Sequence, residues 1–454
     1  MSAHPFLARL EQADFARPYG YVRKVAPGLV EASGPASCLG ELCEIECEGA
    51  PALLAEVAAV DERRIVLIPL EQQAAIPLYA KVKARPIGDR VAVGKAFAGR
   101  AVDSLGRPID GLGAIAAEAS GPLAGSVPRP MDRADRSRVL PTGLRAVDGL
   151  LTLGQGQRIG VFSASGVGKT SLMEQLAIQV ECDRCVLCLV GERGREVEAI
   201  WRMLSGREDA DRYTLVAATS DESAALRGRS VSYALALAEH WRAEGEHVVL
   251  MVDSVTRLAM ALREIGLAAD APPTVRAYTP NVFSALPRLV ERCGAIRSGG
   301  AITAIMTVLS ETDDVDDPIV ELMKSLLDGH IVLSRPLAEQ GHFPAIDVPR
   351  SVSRGAQQLV AAEQASAMRE AVAQLAAYEE ARVMIESGVY RPGTNGAVDR
   401  PAGRDEPVPE AGPQRQQPLS QHRAPAARHN RRGARPCVTG PGFRSWPAWL
   451  RSSG

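Results

Sequence analysis

Residues 162–176 read FSASGVGKTSLMEQL, and the rest of the chain is best understood outward from them. The stretch follows an apolar run, RIGVF (158–162), and leads into TSLMEQLAIQ (170–179), whose apolar residues recur at helical intervals. Glycines at 166 and 168 tolerate the backbone angles that turn successive N–H groups inward, so Ser165, Gly166, Val167 and Gly168 can form a nest for anionic oxygens. The helix that follows adds favourable partial charge at its N-terminus. Lys169 is placed to reach β- and γ-phosphates, the Thr170 hydroxyl to ligate Mg²⁺, and Ser171 to complete the first turn of the cradle. A strict phosphate loop begins with glycine six positions before the lysine, and here that position is Ser163. The remaining S-G-V-G-K-T, at a strand-to-helix junction, still predicts nucleotide binding over a structural glycine turn.

Phosphoryl transfer needs more than a cradle. A carboxylate near the magnesium shell is expected at the end of a neighbouring strand, and VVLMVD puts Asp253 after five apolar residues. The competing reading is an Asp that caps its strand. A group that activates water is expected at a similar edge, and Glu192 follows CVLCLVG directly. Arg193, next to it, reads as a cation that approaches the γ-phosphate or supports the loop, or else as a surface partner of Glu196 or Glu198. The chain carries no NKxD-like guanine-reading motif, so ATP is expected rather than GTP.

The 454 residues hold 52 basic and 54 acidic side chains, a formal charge of −2, and 46% hydrophobic residues. That is enough chain for two or three domains. It offers no overall field for holding nucleic acid or an anionic membrane. MSAHPFLARLEQADF lacks the basic start and long apolar run of a secretory signal, and no stretch approaches the roughly 18 apolar residues of a membrane span. A cytoplasmic protein is expected. Eight cysteines in a chain of this length do not make a disulfide framework. Cys182, Cys185 and Cys188 have metal-like spacing without a fourth Cys or nearby His, and read as ordinary thiols, as do Cys38, Cys43 and Cys47.

After a leading segment over 1–19, residues 20–95 read as short strands with frequent turns, a small barrel or sandwich. From 96 to 350, glycine-rich connections such as GRAVDSLGRPIDGLG give way to RIGVFSA, RCVLCLVGE, TLVAATS, VVLMVDS and AITAIMTVLS. These apolar runs alternate with amphipathic helices, which predicts a mostly parallel α/β sheet. Residues 351–400 contain AAEQASAMREAVAQLAAYEEARVMIESG, a short helical domain. The Pro- and Arg-rich stretch 401–454 has too few aliphatic residues to offset its ordering entropy and reads as a disordered tail.

PTGLRAVDGLLTLGQGQRIGVFSASGVGKTSL, GERGREV, DSVTRLAMALREIGLA, YTPNVFSALPRLVERCG, LDGHIVLSRPLAEQGHFPAID and SVSR, in this order, resemble the export ATPases of bacterial flagella and type III secretion systems. These are relatives of rotary ATP synthase catalytic subunits. The likeness runs from about residue 20 to 400. It implies an N-terminal β-barrel, a RecA-like P-loop ATPase domain and a C-terminal helical domain, assembled as a homohexamer. By matching positions, it implies Lys169 and Thr170 for phosphate and Mg²⁺, Glu192 as catalytic carboxylate and Asp253 as metal-shell aspartate. It further implies that Arg354 of SVSR reaches a neighbouring subunit's γ-phosphate, against an internal salt bridge, and that Phe343 of HFPAID stacks on adenine, against a place in the core.

The resemblance implies partners too: export-gate, stalk and regulator proteins, exported substrates with their chaperones, and a peripheral position at the inner face of the cytoplasmic membrane. YTPNVF reads as a stalk-facing contact or as a structural loop bent by Pro280. The sequence departs from the family after GVYRPGTNGAVDR, where relatives continue with another helix, so the helical domain reads as incomplete. The flagellar branch is the reading, with a virulence or symbiosis secretion ATPase as its alternative. A hexameric nucleic-acid translocase, a proton-translocating synthase subunit and a nucleotide-binding scaffold are the rivals. The near-neutral charge and the lack of a basic, aromatic-interleaved surface oppose the translocase, so no nucleic-acid partner is expected.

Overall fold

The computed structural model describes residues 18–391 except 48, 50, 72–74, 86–89, 135–137, 311–316 and 390. The leading residues 1–17 and the Pro- and Arg-rich stretch 401–454, for which a tail was expected, lie outside the described residues.

Short strands with alternating apolar residues close on themselves first. β1 (Tyr19–Ala26), β2 (Leu29–Ala32), β3 (Leu42–Ile45), β4 (Leu53–Val60), β5 (Ile65–Pro69) and β6 (Lys81–Ala84) form a closed barrel in the order β1-β2-β5-β4-β3-β6. Its antiparallel ladders turn every second side chain inward. Val22, Val30, Cys43, Ile45, Val57, Leu67 and Val82 are buried there. The structure thus settles barrel over sandwich. The strand-like RVAV does not join it: β7 (Arg90–Val93) pairs instead with β9 (Ala119–Pro122), and Tyr233 donates from its hydroxyl to the Ala92 carbonyl at 2.9 Å.

Between those two, a segment that reads as glycine-rich connection contributes β8 (Arg100–Val102) to the edge of the main sheet. β10 (Val139–Leu140) and β11 (Leu153–Gly154) form a separate two-stranded pair. The main sheet has nine strands among the described residues: β12 (Arg158–Ser163), β13 (Arg184–Glu192), β14 (Tyr213–Thr219), β15 (His247–Asp253), β16 (Gly294–Ala295), β17 (Ala301–Leu309), β18 (Gly329–Leu333), β19 (Ile346–Ser353) and β8. The order is β19-β18-β12-β17-β15-β13-β14-β8, with β16 beside β17. All five sequence-predicted strands are present, side by side and parallel.

Burial on both faces explains their near-continuous apolar runs. The helix Ala224–Ala243 covers one face, where Val186, Cys188, Val190, Val216, Val248 and Leu250 join a single core with Tyr233, Leu237 and Trp241. Only β16 and β19 run against the parallel direction. β19 is the edge strand opposite β8, and its last residue, Ser353, pairs with the first residue of β18, Gly329. A helix spans Ala362–Glu386.

Candidate functional site

In a parallel sheet, consecutive strands deliver their C-terminal ends to one edge, and ligands collect there. β12 ends at Ser163, and the chain turns through Ser165, Gly166 and Val167 to Gly168, which precedes the helix Lys169–Gln179. Gly166 and Gly168 sit at φ +82° and +88°, the left-handed region that only glycine enters freely. A Cβ at Gly166 would meet nothing within 4 Å, so the loop is open above it. Val167 anchors the loop from below and is buried, whereas Ser165, Thr170 and Ser171 are exposed. The departure at Ser163 is accommodated: its side chain is 2% exposed, and its hydroxyl finds no hydrogen-bond partner among the described residues.

Three chemically active side chains meet at this edge. Lys169, at the first turn of its helix, donates to Asp253 Oδ1 and has Nζ 3.8 Å from Glu192 Oε1. Asp253 ends β15 and also accepts from the Thr307 hydroxyl of β17 at 2.6 Å. Glu192 ends β13, and parallel register sets Leu189 of that strand opposite Asp253. Both carboxylates are nearly buried, with side-chain exposures of 8% and 9%. Burial pushes the Glu192 carboxyl up to about 7, helped by a hydrogen bond with Glu196 and by the charge of Asp253, and opposed by Lys169 and Arg257. A carboxyl with that value is ionised about half the time near neutrality and suits proton transfer at cellular pH.

Arg257 and Thr307 were not singled out by sequence reasoning, and Glu196 entered it only as a surface partner of Arg193. Arg257 Nη2 lies 3.3 Å from Glu192 Oε2, and the same guanidinium donates to the Gly191 carbonyl. The available signal was its position four residues after Asp253, in the first turn of the helix Val255–Ala268. Arg193, by contrast, is exposed at the N-cap of the helix Gly194–Ser205 and makes no ion pair among the described residues. Glu198, one of its expected partners, pairs with Arg202.

Phe343 lies against the loop rather than in the core. It is 54% exposed, and a methyl at Gly168 would sit 3.3 Å from its ring. Arg354 is elsewhere. Because β19 runs antiparallel, its last residue lies beside the start of β18 and β12, at the sheet edge opposite the loop. The six residues of β12 separate those two edges, roughly 16 Å at about 3.3 Å per step. Arg354 is exposed, and its side chain donates to the Lys324 carbonyl at 3.2 Å without a carboxylate partner among the described residues. Pro280 occupies the first turn of the helix Pro280–Arg292.

A family model for the ATP synthase alpha/beta family, nucleotide-binding domain, matches residues 143–353, and one for the T3SS EscN ATPase C-terminal domain matches 360–408. The flagellum-specific ATP synthase of Bacillus subtilis is 41% identical over 403 residues, covering 88% of this chain and 91% of that protein. The type 3 secretion system ATPase of Xanthomonas euvesicatoria is 42% identical over 391 residues, covering 86% and 88%. The chain belongs to the flagellar and type III secretion ATPase family. Among solved structures of this export-ATPase family, the assembled ATPase EscN from enteropathogenic E. coli superimposes with a TM-score of 0.79 at 38% identity, over 84% of this chain and 91% of EscN. EscN in complex with its central stalk EscO matches with a TM-score of 0.76 at 37% identity, over the same shares. The family fold, with barrel, α/β nucleotide-binding domain and C-terminal helices, is therefore the fold of this chain.

Proposed function

We propose that this chain is the ATP-hydrolysing motor of a bacterial protein-export apparatus, acting in the flagellar branch. The observation that carries the chemistry is the buried meeting of Lys169, Glu192 and Asp253 beneath an open glycine loop. A scaffold that only bound nucleotide would gain nothing from a second buried carboxylate held near neutrality. The donor set also fits a hard divalent ion: a serine/threonine hydroxyl at 170 and a carboxylate at 253 are oxygen ligands of the kind Mg²⁺ takes.

Mg²⁺-ATP would supply the anhydride and the divalent charge; the protein supplies the rest. Ser165 to Ser171 hold the phosphates through amides and hydroxyls, with Lys169 exchanging its carboxylate partners for phosphate oxygens. Thr170 and Asp253 hold the metal shell. Glu192 takes the proton of the attacking water, with Arg257 and Glu196 setting its position and proton affinity. Phe343, exposed beside Gly168, is the surface for the base. Arg193 is assigned a supporting place at the loop's rim rather than a contact with the γ-phosphate.

Arg354 cannot serve the site of its own chain from the far edge of the sheet, so it serves that of a neighbour. A cation supplied across a boundary makes hydrolysis depend on how two copies are docked. A homomeric ring, six copies in our reading, is then self-sufficient, with stalk, export-gate and regulator proteins and export substrates as its partners at the cytoplasmic face of the membrane. No helix among the described residues is long and apolar enough to cross a membrane. Virulence secretion remains the second reading, because relatives of both branches are equally similar at 41% and 42%.

Two measurements test this. Glu192→Gln should bind a fluorescent ATP analogue normally while phosphate release falls to background; normal turnover would remove the proposed water activator. Expression in a non-motile strain lacking its flagellar export ATPase should restore swimming with the wild-type chain and not with Glu192→Gln. Failure in that host, with rescue of a secretion-deficient strain, would select the other branch.

A further inference from the structure

The chain leaves the helix Pro318–Leu326 and enters β18 through Leu327, Asp328 and Gly329. Gly329 lies so close to β19 that a methyl there would collide with the Val352 carbonyl and the Ser353 Cα. Asp328, just before it, joins the strands on either side through its backbone. Its amide donates to the Arg158 carbonyl at 2.8 Å, and its carbonyl accepts from the Arg354 amide at 2.9 Å. Its carboxylate is gripped by Arg158, whose amide and Nε each lie 2.9 Å from Oδ2 and whose Nη2 lies 3.2 Å from Oδ1. Both side chains are mostly buried, at 13% and 12% exposure.

The grip is itself braced. Arg158 Nη1 donates to one oxygen of Glu291 at 2.6 Å, and Arg133 holds the other at 2.6 Å. Gln157 is 1% exposed and sends Nε2 to the Asp328 carbonyl at 3.4 Å and to the Ser353 hydroxyl at 3.1 Å. That hydroxyl donates in turn to the Thr152 carbonyl at 2.8 Å. The backbone at 353 and 354 is therefore held by side chains as well as by the strand ladder. From this base the exposed Arg354 side chain rests on the Lys324 carbonyl. That carbonyl is one of the last four of its helix, which lack partners inside the helix and favour a cation.

A mostly buried ion pair adds little net stability, because desolvation offsets its attraction. What the Arg158–Asp328 pair fixes is geometry. We infer that Asp328 is a positioning residue for hydrolysis: clamped by Arg158, it fixes the peptide from which Arg354 reaches the neighbouring copy. This rests on the proposed service of a neighbour's loop by Arg354. The effect is directional. β12 leads into the loop of its own site at one end, Ser163, and carries the clamp for the adjoining site at the other, Arg158. Removing the carboxylate damages the arginine that a copy lends and spares the loop that it keeps. A misplaced cation fails the charge that develops in the transition state, so kcat falls while KM for ATP stays.

Subunit mixing tests this with the full chain, the copies being combined dilute and then concentrated. Asp328→Ala alone should lose on the order of 10- to 100-fold in kcat with KM for ATP unchanged. Glu192→Gln copies have an inert loop and a sound arginine. In an equal mixture with Asp328→Ala copies, random pairing gives about a quarter of the interfaces an intact loop and an intact arginine, so activity should return to about a quarter of wild type. Mixed instead with Arg354→Ala copies, Asp328→Ala should stay at its own background, since neither lends a placed arginine. Asp328→Asn keeps the shape and one carboxyl oxygen; it should show the same pattern with a smaller loss, and it serves if the alanine variant does not fold. Normal kcat in either folded variant, a raised KM, or recovery with Arg354→Ala would overturn the inference. So would failure to recover with Glu192→Gln when Arg354→Ala does recover with it, an outcome that leaves the proposed function standing. If Arg354→Ala does not recover with Glu192→Gln either, service across the boundary is refuted, and the positioning role with it.

Discussion

Replacing Glu192 by Gln should make the chain more stable, and the gain should depend on pH. Glu192 titrates at about 7 in the folded chain against an ordinary 4.5. The folded state therefore binds this proton more tightly than the unfolded state, and stability falls as pH rises between those two values. A gap of about 2.5 pH units, at about 1.4 kcal/mol each, puts the destabilisation at up to about 3 kcal/mol above pH 7. That figure already contains the favourable fields of Lys169 and Arg257, because both lower the value that burial raises. Gln has nearly the same shape and no charge, so it escapes the penalty. Without nucleotide and with chelator present, urea unfolding should show the variant more stable by up to about 3 kcal/mol at pH 8. The advantage should shrink steadily below pH 7 and be gone by about pH 4.5. Equal stability at every pH, or a variant weaker at pH 8, would mean that ion pairing outweighs burial at this carboxylate and would refute the reasoning.

Lys169→Ala should abolish phosphate release and lower stability by roughly 3–5 kcal/mol, since it strips the cation from two nearly buried carboxylates; thermal unfolding and a phosphate assay read both. In the wild type, kcat/KM should rise with pH through about 7 as Glu192 loses its proton, and Glu196→Gln should move that midpoint down by replacing a hydrogen bond to the protonated form; an unmoved midpoint would remove Glu196 from the account. Arg354→Ala should leave the circular dichroism and melting of the dilute chain unchanged while eliminating the rise of specific activity with protein concentration. Ser163→Ala should be neutral to stabilising by about 1 kcal/mol, because it deletes a buried hydroxyl that has no partner, and loss of stability in urea unfolding would contradict this.

Period and punctuation made the main sheet legible. Buried parallel strands leave continuous apolar runs such as RCVLCLV and VVLMV, and the residue that ends each run lies at the edge that carries the glycine loop; the placing of Glu192 and Asp253 there was legible for that reason. Strands of two to four residues leave no such run. RAV inside GRAVDSLGRPIDGLG became an edge strand, and RVAV left the barrel to pair with Ala119–Pro122, because pairing at that length is decided by tertiary partners and not by pattern. Arg257 was missed because an arginine in the first turn of an amphipathic helix looks like ordinary solvated charge. Its meaning appears only when Glu192, sixty-five positions earlier, is set beside it by β13 and β15 lying together.

The reversed direction of β19 has a consequence for assembly. One copy carries the open glycine loop at one rim of its sheet and exposed Arg354 at the other, so under the proposed function every copy both lends an arginine and receives one. Head-to-tail contact satisfies every copy but the last, and only closure satisfies that one too. Repeated in one sense around a ring, a polarity set by a single backward strand leaves no loop and no arginine unmatched.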